Sequence, residues 1–251
     1  MATPKYKRIL LKLSGEALAA GGQGILNFDF IDTVAKVLTR CRAEGVEIGV
    51  IVGAGNIWRG RQGGEMDRAQ ADHMGMLATA INALALQDRF CAAGLDAVVM
   101  SAVDMPAFAD EFTVRGAKRA LTEGKTVIFA CGLGQPYFST DTAAVLRAAE
   151  IEADAVLMAK NIDGIYTADP HKDENALLVQ QVDTLTPEIL ALAGVSSTTQ
   201  GTGGMVTKLH AAQICLDCGC DMVIANGNRP ENLYDILDGK SVGTRFGRKS
   251  L

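Results

Sequence analysis

The 251-residue sequence has no apolar run approaching the roughly 18 residues of a membrane-spanning helix, which excludes a helical membrane protein. It also lacks any block of Lys and Arg. Its 24 basic residues are outnumbered by 29 acidic ones, for a net charge of −5, and the clusters Lys5/Lys7/Arg8 and Arg245/Arg248/Lys249 are small and terminal. Without such a block phosphate backbones go unneutralised, so a dedicated nucleic-acid binder is excluded. The apolar stretch behind Lys5 runs only from Ile9 to Leu11 before Lys12. That is too short for the core of a secretory signal, so a cytoplasmic protein is expected. The six cysteines (41, 91, 131, 215, 218, 220) do not have the spacing of a disulfide framework and are expected to be reduced. Cys215, Cys218 and Cys220 lie close together but have no evident fourth ligand; Cys215 and Cys218 read as one turn apart on a helix and Cys220 as the start of a strand, all small buried residues, with no metal site. No Pro/Ser-rich linker, low-complexity tract or internal repeat divides the chain, and 48% hydrophobic content excludes disorder. One domain over 1–251 is the expectation.

Short apolar runs alternate with longer helical patterns. Ile9–Leu13, Ile48–Val52, Ala97–Ser101, Thr126–Ala130, Ala155–Ala159 and Met222–Ala225 read as strands buried on both faces. Phe30–Ala43, Asp72–Ala92, Thr140–Ile151 and Val206–Cys218 read as helices, and Gly45, Gly94, Gly124 and Gly219 read as helix stops. This alternation predicts an α/β fold with a mainly parallel sheet covered by helices on both faces. Residues 169–200 are the least regular and suggest a small lobe or lid. The Met74/Met76 and Leu77/Ile81/Leu84 stripe has helical spacing and reads as core or subunit contact.

Ligands of such sheets bind beyond the carboxyl ends of the strands. Glycines gather there: Ser14-Gly15-Glu16, Gly53-Ala54-Gly55-Asn56, Gly132-Leu133-Gly134-Gln135, and Gly201-Thr202-Gly203-Gly204 before the last long helix. Backbone N–H groups in such loops, and helix N-termini, bind phosphate. Neither familiar nucleotide motif is present. Lys208 follows Gly204 by four residues, unlike a Walker loop, and Trp58 stands where a dinucleotide loop needs its third glycine. Lys12 ends an apolar strand, where it reads either as an edge charge or as a point charge for a polyphosphate. Lys208 near a helix start opposes the helix dipole, which a phosphate partner would explain. Ser139 or Thr140 suits a helix cap and Asp141 a first turn. His73, His171 and His210 read as ordinary helix or loop residues.

Taken in order, KYKRILLKLSGEAL (5–18), VGAGNIWRG (52–60), DHMGMLATAINALAL (72–86), QPYFSTDTAA (135–144) and AAEIEADAVLMAKNIDGIYTADP (148–170) resemble the amino-acid-kinase superfamily, and within it the bacterial uridylate (UMP) kinases. The resemblance implies an αβα three-layer sandwich that moves the ATP γ-phosphoryl to UMP with Mg²⁺ in pyrimidine nucleotide biosynthesis. It implies an acceptor lobe over about 1–158 and an ATP lobe over about 159–251. It assigns Lys12, Leu13, Ser14, Gly15, Gly55, Arg59, Asn161, Tyr166 and Asp169 to ATP. To UMP it assigns Ala54, Asp72, Leu133, Gly134, Gln135, Pro136, Tyr137, Phe138, Ser139 and Thr140. Lys12 and Asp141 become catalytic, with Asp141 organising the lysines; Lys208 is expected to join them as a second phosphate-compensating lysine, through the glutamate 5-kinase-like segment described next. It further implies a homohexamer with GTP and UTP as effectors.

The C-terminal third departs from that pattern. Where uridylate kinases carry an M-D-x-x-A stretch, this sequence reads Gly201-Thr202-Gly203-Gly204-Met205-Val206-Thr207-Lys208, which resembles glutamate 5-kinases of the same superfamily, as does Ser241-Val242-Gly243-Thr244. Gly132-Leu133-Gly134-Gln135 also stands where uridylate kinases usually read G-T-G-N. A glutamate 5-kinase-like acid kinase and a nucleotide sensor without turnover are therefore the alternatives. The uridylate type of Arg59, Asp72 and Pro136–Thr140 favours UMP.

Overall fold

The computed structural model describes residues 3–19, 24–59, 64–168, 170, 172–190 and 205–247. Asp169, His171 and the Gly201–Gly204 loop lie outside the described residues.

In chain order the strands are β1 (Arg8–Leu13), β2 (Glu47–Val52), β3 (Ala97–Ser101), β4 (Asp110–Glu111), β5 (Thr126–Ala130), β6 (Ala155–Lys160), β7 (Ile165–Tyr166), β8 (Leu178–Val179), β9 (Gln181–Val182), β10 (Asp221–Asn226) and β11 (Thr244–Phe246). The helices are α1 (Gly15–Ala19), α2 (Phe28–Ala43), α3 (Arg68–Ala92), α4 (Val114–Thr122), α5 (Thr140–Glu150), α6 (Met205–Cys218) and α7 (Asn232–Leu237). The six expected strands and four expected helices are present. Side-chain caps set several boundaries. Asn27 accepts from the Phe30 N–H, and Asp67 accepts from the Gln70 N–H, starting α3 four residues before the expected Asp72. Gly45, Gly94, Gly124 and Gly219 all have positive φ, as left-handed caps require. Gly124 closes α4, a nine-residue helix the sequence pattern did not reveal.

The large sheet runs β4-β3-β5-β2-β1-β6-β10-β11-β9, parallel except where β11 meets β10. This is the expected mainly parallel architecture. Strand residues alternate between two cores. Ile9, Leu11 and Leu13 join one with α2, α3 and α7; Leu10 joins the other with α4, α5 and α6. Three layers result, with helices on both faces. Within the described residues 172–190, β8 pairs with β7 as a two-stranded sheet and β9 extends the edge of the large one. Gly243 and Thr244, read from sequence as a family signature, have a packing role here. The Thr244 hydroxyl accepts from the Ile165 N–H and donates to the Val179 carbonyl, tying β7 and β8 to β11.

One reading of Lys12 is overturned. It is not an edge charge: β1 sits between β2 and β6, and Lys12 is 5% exposed. The period of two places it on the Leu10 face, toward α5.

Candidate active site

A cleft of about 670 Å³ opens beyond the carboxyl ends of β1, β2, β5 and β6. Its floor is built from charge. Asp141, in the first turn of α5, is 2% exposed. Lys12 Nζ lies 2.9 Å from its Oδ1, and Lys160 Nζ lies 2.6 Å from Oδ1 and 2.8 Å from Oδ2. Lys208, in the first turns of α6, is also buried, lines the same cleft and interacts electrostatically with Asp141 and Lys12. Three lysines thus converge on one carboxylate.

The consequences for protonation follow from burial and from these neighbours. Burial disfavours the Asp141 carboxylate, but the charges of Lys12, Lys160 and Lys208 outweigh it and hold its pKa well below the usual range. Burial also works against charge on Lys12, where Asp141 wins and the pKa rises. For Lys160, burial and the adjacent Lys12 prevail over Asp141, and its pKa falls well below the ordinary 10.5. Burial lowers Lys208 as well. The cluster is short of negative charge, and an anion in the cleft would relieve it.

Lys160 was not singled out in the sequence, although a signal existed. Val156 and Met158 belong to the α4–α6 core, so period two puts Lys160 on the same face, toward α5. Lys12 pairs in register with Met158, which makes the two lysines near neighbours across β1 and β6.

Two glycine loops meet above the lysines. A Cβ on Gly15 would stand 2.6 Å from the Gly53 carbonyl oxygen and 2.6 Å from the Gly55 nitrogen, so only glycine permits this backbone contact. Asn82, fully buried on α3, donates to the Gly53 carbonyl at 2.8 Å and exchanges reciprocal amide bonds with Asn56 at 2.8 and 2.9 Å. Arg59 pairs with Glu16 at 2.5 Å, bridging the same two loops. Ser14, Ala54 and Asn161 also line the cleft, and Asn161 accepts from the Asn228 amide at 2.8 Å.

The loop between β5 and α5 forms another wall, through Leu133, Gln135, Phe138, Ser139 and Thr140. Ser139 caps α5 by accepting from the Thr142 N–H. Asp72, on α3, accepts from Arg68 Nε and from the Tyr137 N–H, both at 2.8 Å.

Several expected site residues stand elsewhere. Leu13 is buried in the α2–α3 core and its carbonyl accepts from the Gly53 N–H, so it supports the loop from beneath and does not line the cleft. Gly134, Pro136 and Tyr137 do not line it either: Gly134 turns against the Ala102 carbonyl, and the Tyr137 ring is exposed beside Arg68. Tyr166 lies in β7 with its hydroxyl 3.5 Å from Asp163, also away from the cleft lining. Cys215 and Cys220 are buried while Cys218 is exposed, and no group of three metal-ligating side chains forms among the described residues.

A family model described as the amino acid kinase family matches residues 7–226. The chain belongs to the amino acid kinase family. It is also similar to two solved structures over nearly its whole length. One is the UMP kinase from Ureaplasma parvum, at 29% identity and TM-score 0.84, covering 97% of this chain and 100% of that one. The other is the UMP kinase from Bacillus anthracis, at 29% identity and TM-score 0.85, covering 98% and 97%. Within this kinase fold the lysine-lined cleft occupies the strand ends where α/β sheets bind their ligands.

Proposed function

We propose that this kinase transfers the γ-phosphoryl group of ATP to UMP, forming UDP in pyrimidine nucleotide biosynthesis. The observation that carries the choice of acceptor is the near end-to-end likeness to two UMP kinases. The cleft supports it chemically. In the transfer, a phosphate oxygen of UMP bonds to the γ-phosphorus as the bond to the β–γ bridging oxygen breaks, and ADP leaves with that electron pair. The acceptor oxygen is already ionised near neutral pH, so no general base is needed. What is needed is alignment of two mutually repelling anions. Lys12, Lys160 and Lys208 offset that charge, and Asp141 spaces the lysines before substrate arrives.

In this reading Ser14, Gly15, Gly55, Arg59 and Asn161 serve ATP, as does Asp169, which lies outside the described residues. Ala54, Asp72 and the cleft-lining residues of the 133–140 loop, Leu133, Gln135, Phe138, Ser139 and Thr140, serve UMP. The acceptor lobe spans about 1–158 and the ATP lobe about 159–251. Magnesium belongs to the same reading, but the described residues offer it no cage. Asp141 is held by lysines, Glu16 by Arg59 and Asp72 by Arg68. A magnesium ion entering with ATP would keep phosphate oxygens and water as its ligands, and the charge compensation described above uses this chain's own groups.

Homohexameric assembly, with GTP and UTP as effectors, completes the proposal. The apolar stripe Met74, Leu77 and Ile81 lies exposed along α3, which supports a subunit contact there. A cytoplasmic location accords with the described helices, none of which is long and apolar enough to cross a membrane. The test is the fate of labelled γ-phosphate: label recovered in UDP supports the proposal. Hydroxylamine-trapped acyl phosphate from glutamate, with none in UDP, would replace it by the acid-kinase alternative.

A further inference from the structure

Two polar side chains on α3, seven residues apart, hold opposite ends of the loop between β5 and α5. At its start the backbone N–H of Cys131 donates to Thr79 Oγ1 at 2.9 Å in a buried contact, while the Thr79 hydroxyl donates to the Met76 carbonyl at 2.7 Å. At its far end the N–H of Tyr137 donates to Asp72 Oδ2 at 2.8 Å. Both donors belong to non-glycine residues in the left-handed region, with φ of 61° at Cys131 and 72° at Tyr137. A residue bearing a side chain stays there only where its surroundings fix it, and such strain gathers at ligand-binding segments. Seven residues are about two turns, so both acceptors lie on one face of α3, about 10 Å apart along its axis.

The straps are themselves held. Arg68 Nε is 2.8 Å from the same Asp72 oxygen, and its guanidinium lies over the Tyr137 ring at 5.5 Å. Between the straps, Gly132 and Gly134 also have positive φ, 58° and 73°; the Gly134 N–H closes a turn on the Cys131 carbonyl at 2.9 Å and Arg147 donates to the Gly132 carbonyl at 3.1 Å, so the turn that leads into the acceptor wall starts from Cys131 itself. Removing the Thr79 acceptor leaves a buried N–H without that partner at a non-glycine residue in the left-handed region.

We propose that Thr79 is a positioning residue for the phosphoryl acceptor. Its hydroxyl pins the left-handed start of the loop to α3, so that the acceptor meets a preformed wall, with Asp72 as the second strap. Preforming a binding segment lowers the ordering cost of binding. The inference rests on the reading of residues 133–140 as the acceptor loop.

The test compares Thr79→Val, which matches threonine in shape but not in hydrogen bonding, with Thr79→Ser, which keeps the hydroxyl. Thr79→Val raises KM for UMP about tenfold, leaves KM for ATP within about twofold and speeds amide exchange at Cys131–Leu133; Thr79→Ser restores the wild-type pattern. Equal rises in both KM values, or a Thr79→Ser variant as impaired as Thr79→Val, would overturn the proposal. Amide exchange separates this idea from the one beneath it. If the wild-type chain does not phosphorylate UMP, the acceptor reading fails, and exchange still decides the strap: unchanged protection at Cys131–Leu133 in Thr79→Val refutes it.

Discussion

Lys12 and Lys160 reach the same oxygen of one aspartate: their Nζ atoms stand 2.9 and 2.6 Å from Asp141 Oδ1, although they come from different strands. β1 and β6 are parallel neighbours, and Lys12 is in register with Met158, two residues before Lys160. The pleat then turns both ammonium groups to the α5 side, where a helix N-terminus presents the carboxylate.

The two lysines are shifted in opposite directions, Lys12 up and Lys160 down, and this gives the first prediction. The Lys160 pKa is pushed well below its ordinary 10.5 by burial and by Lys12. Between the folded value and 10.5 the unfolded chain holds a proton that the folded chain does not, so Lys160 costs stability at neutral pH and stability rises with pH through that window. Lys160→Met should therefore raise the melting temperature at pH 7 by about 2–4 °C and flatten its rise toward pH 10. The same variant should lower kcat about 100-fold or more. Scanning calorimetry at several pH values checks the first part; a lower melting temperature at pH 7 contradicts it.

Asp141 behaves in the opposite sense. Its pKa is depressed in the folded protein, so its stabilising effect is complete above the ordinary carboxylate value near 3.8 and fades as pH falls through the folded value. Asp141→Asn leaves three lysines without their shared counter-charge and should cost about 3–5 kcal/mol at pH 7. Urea unfolding at pH 7, and again below pH 3.8, measures this. A cost below about 1 kcal/mol at pH 7 means the carboxylate does not hold the cluster.

Gly15 gives a prediction about backbone approach. An added Cβ would meet the Gly53 carbonyl oxygen and the Gly55 nitrogen, both backbone atoms, at 2.6 Å. Gly15→Ala should force the two phosphate-facing loops apart and lower kcat/KM for ATP about 100-fold, with the circular dichroism of the sheet retained. Wild-type kinetics in this variant would show that the loops are not a rigid pair.

Much of this was legible in the sequence, for physical reasons. Buried parallel strands are near-continuous runs of Val, Ile and Leu, so β1, β2, β3, β5, β6 and β10 stood out, as did glycine loops at their ends. Lys12 stood out because a lysine interrupts such a run. Lys160 did not, because it closes its strand beside a polar loop, where a lysine is ordinary. Thr79 and Asn82 were hidden for another reason. Each sits within an amphipathic helical pattern, and only the tertiary fold brings the Cys131 N–H and the Gly53 carbonyl to them. Helix α4 escaped because it is short and mostly polar, although Gly124 marked its end. Leu13 and Tyr166 were assigned to ATP by resemblance, and strand alternation and the β7 pairing turn them elsewhere.

The most direct measurement is ADP release from Mg-ATP with UMP, CMP, dUMP and glutamate supplied side by side at equal concentration. Turnover with UMP, lost in Lys12→Ala, and none with glutamate is the expected result. Turnover with glutamate alone would name an acid kinase, and nucleotide binding without ADP release from any of the four would make the lysine cluster a sensor's site.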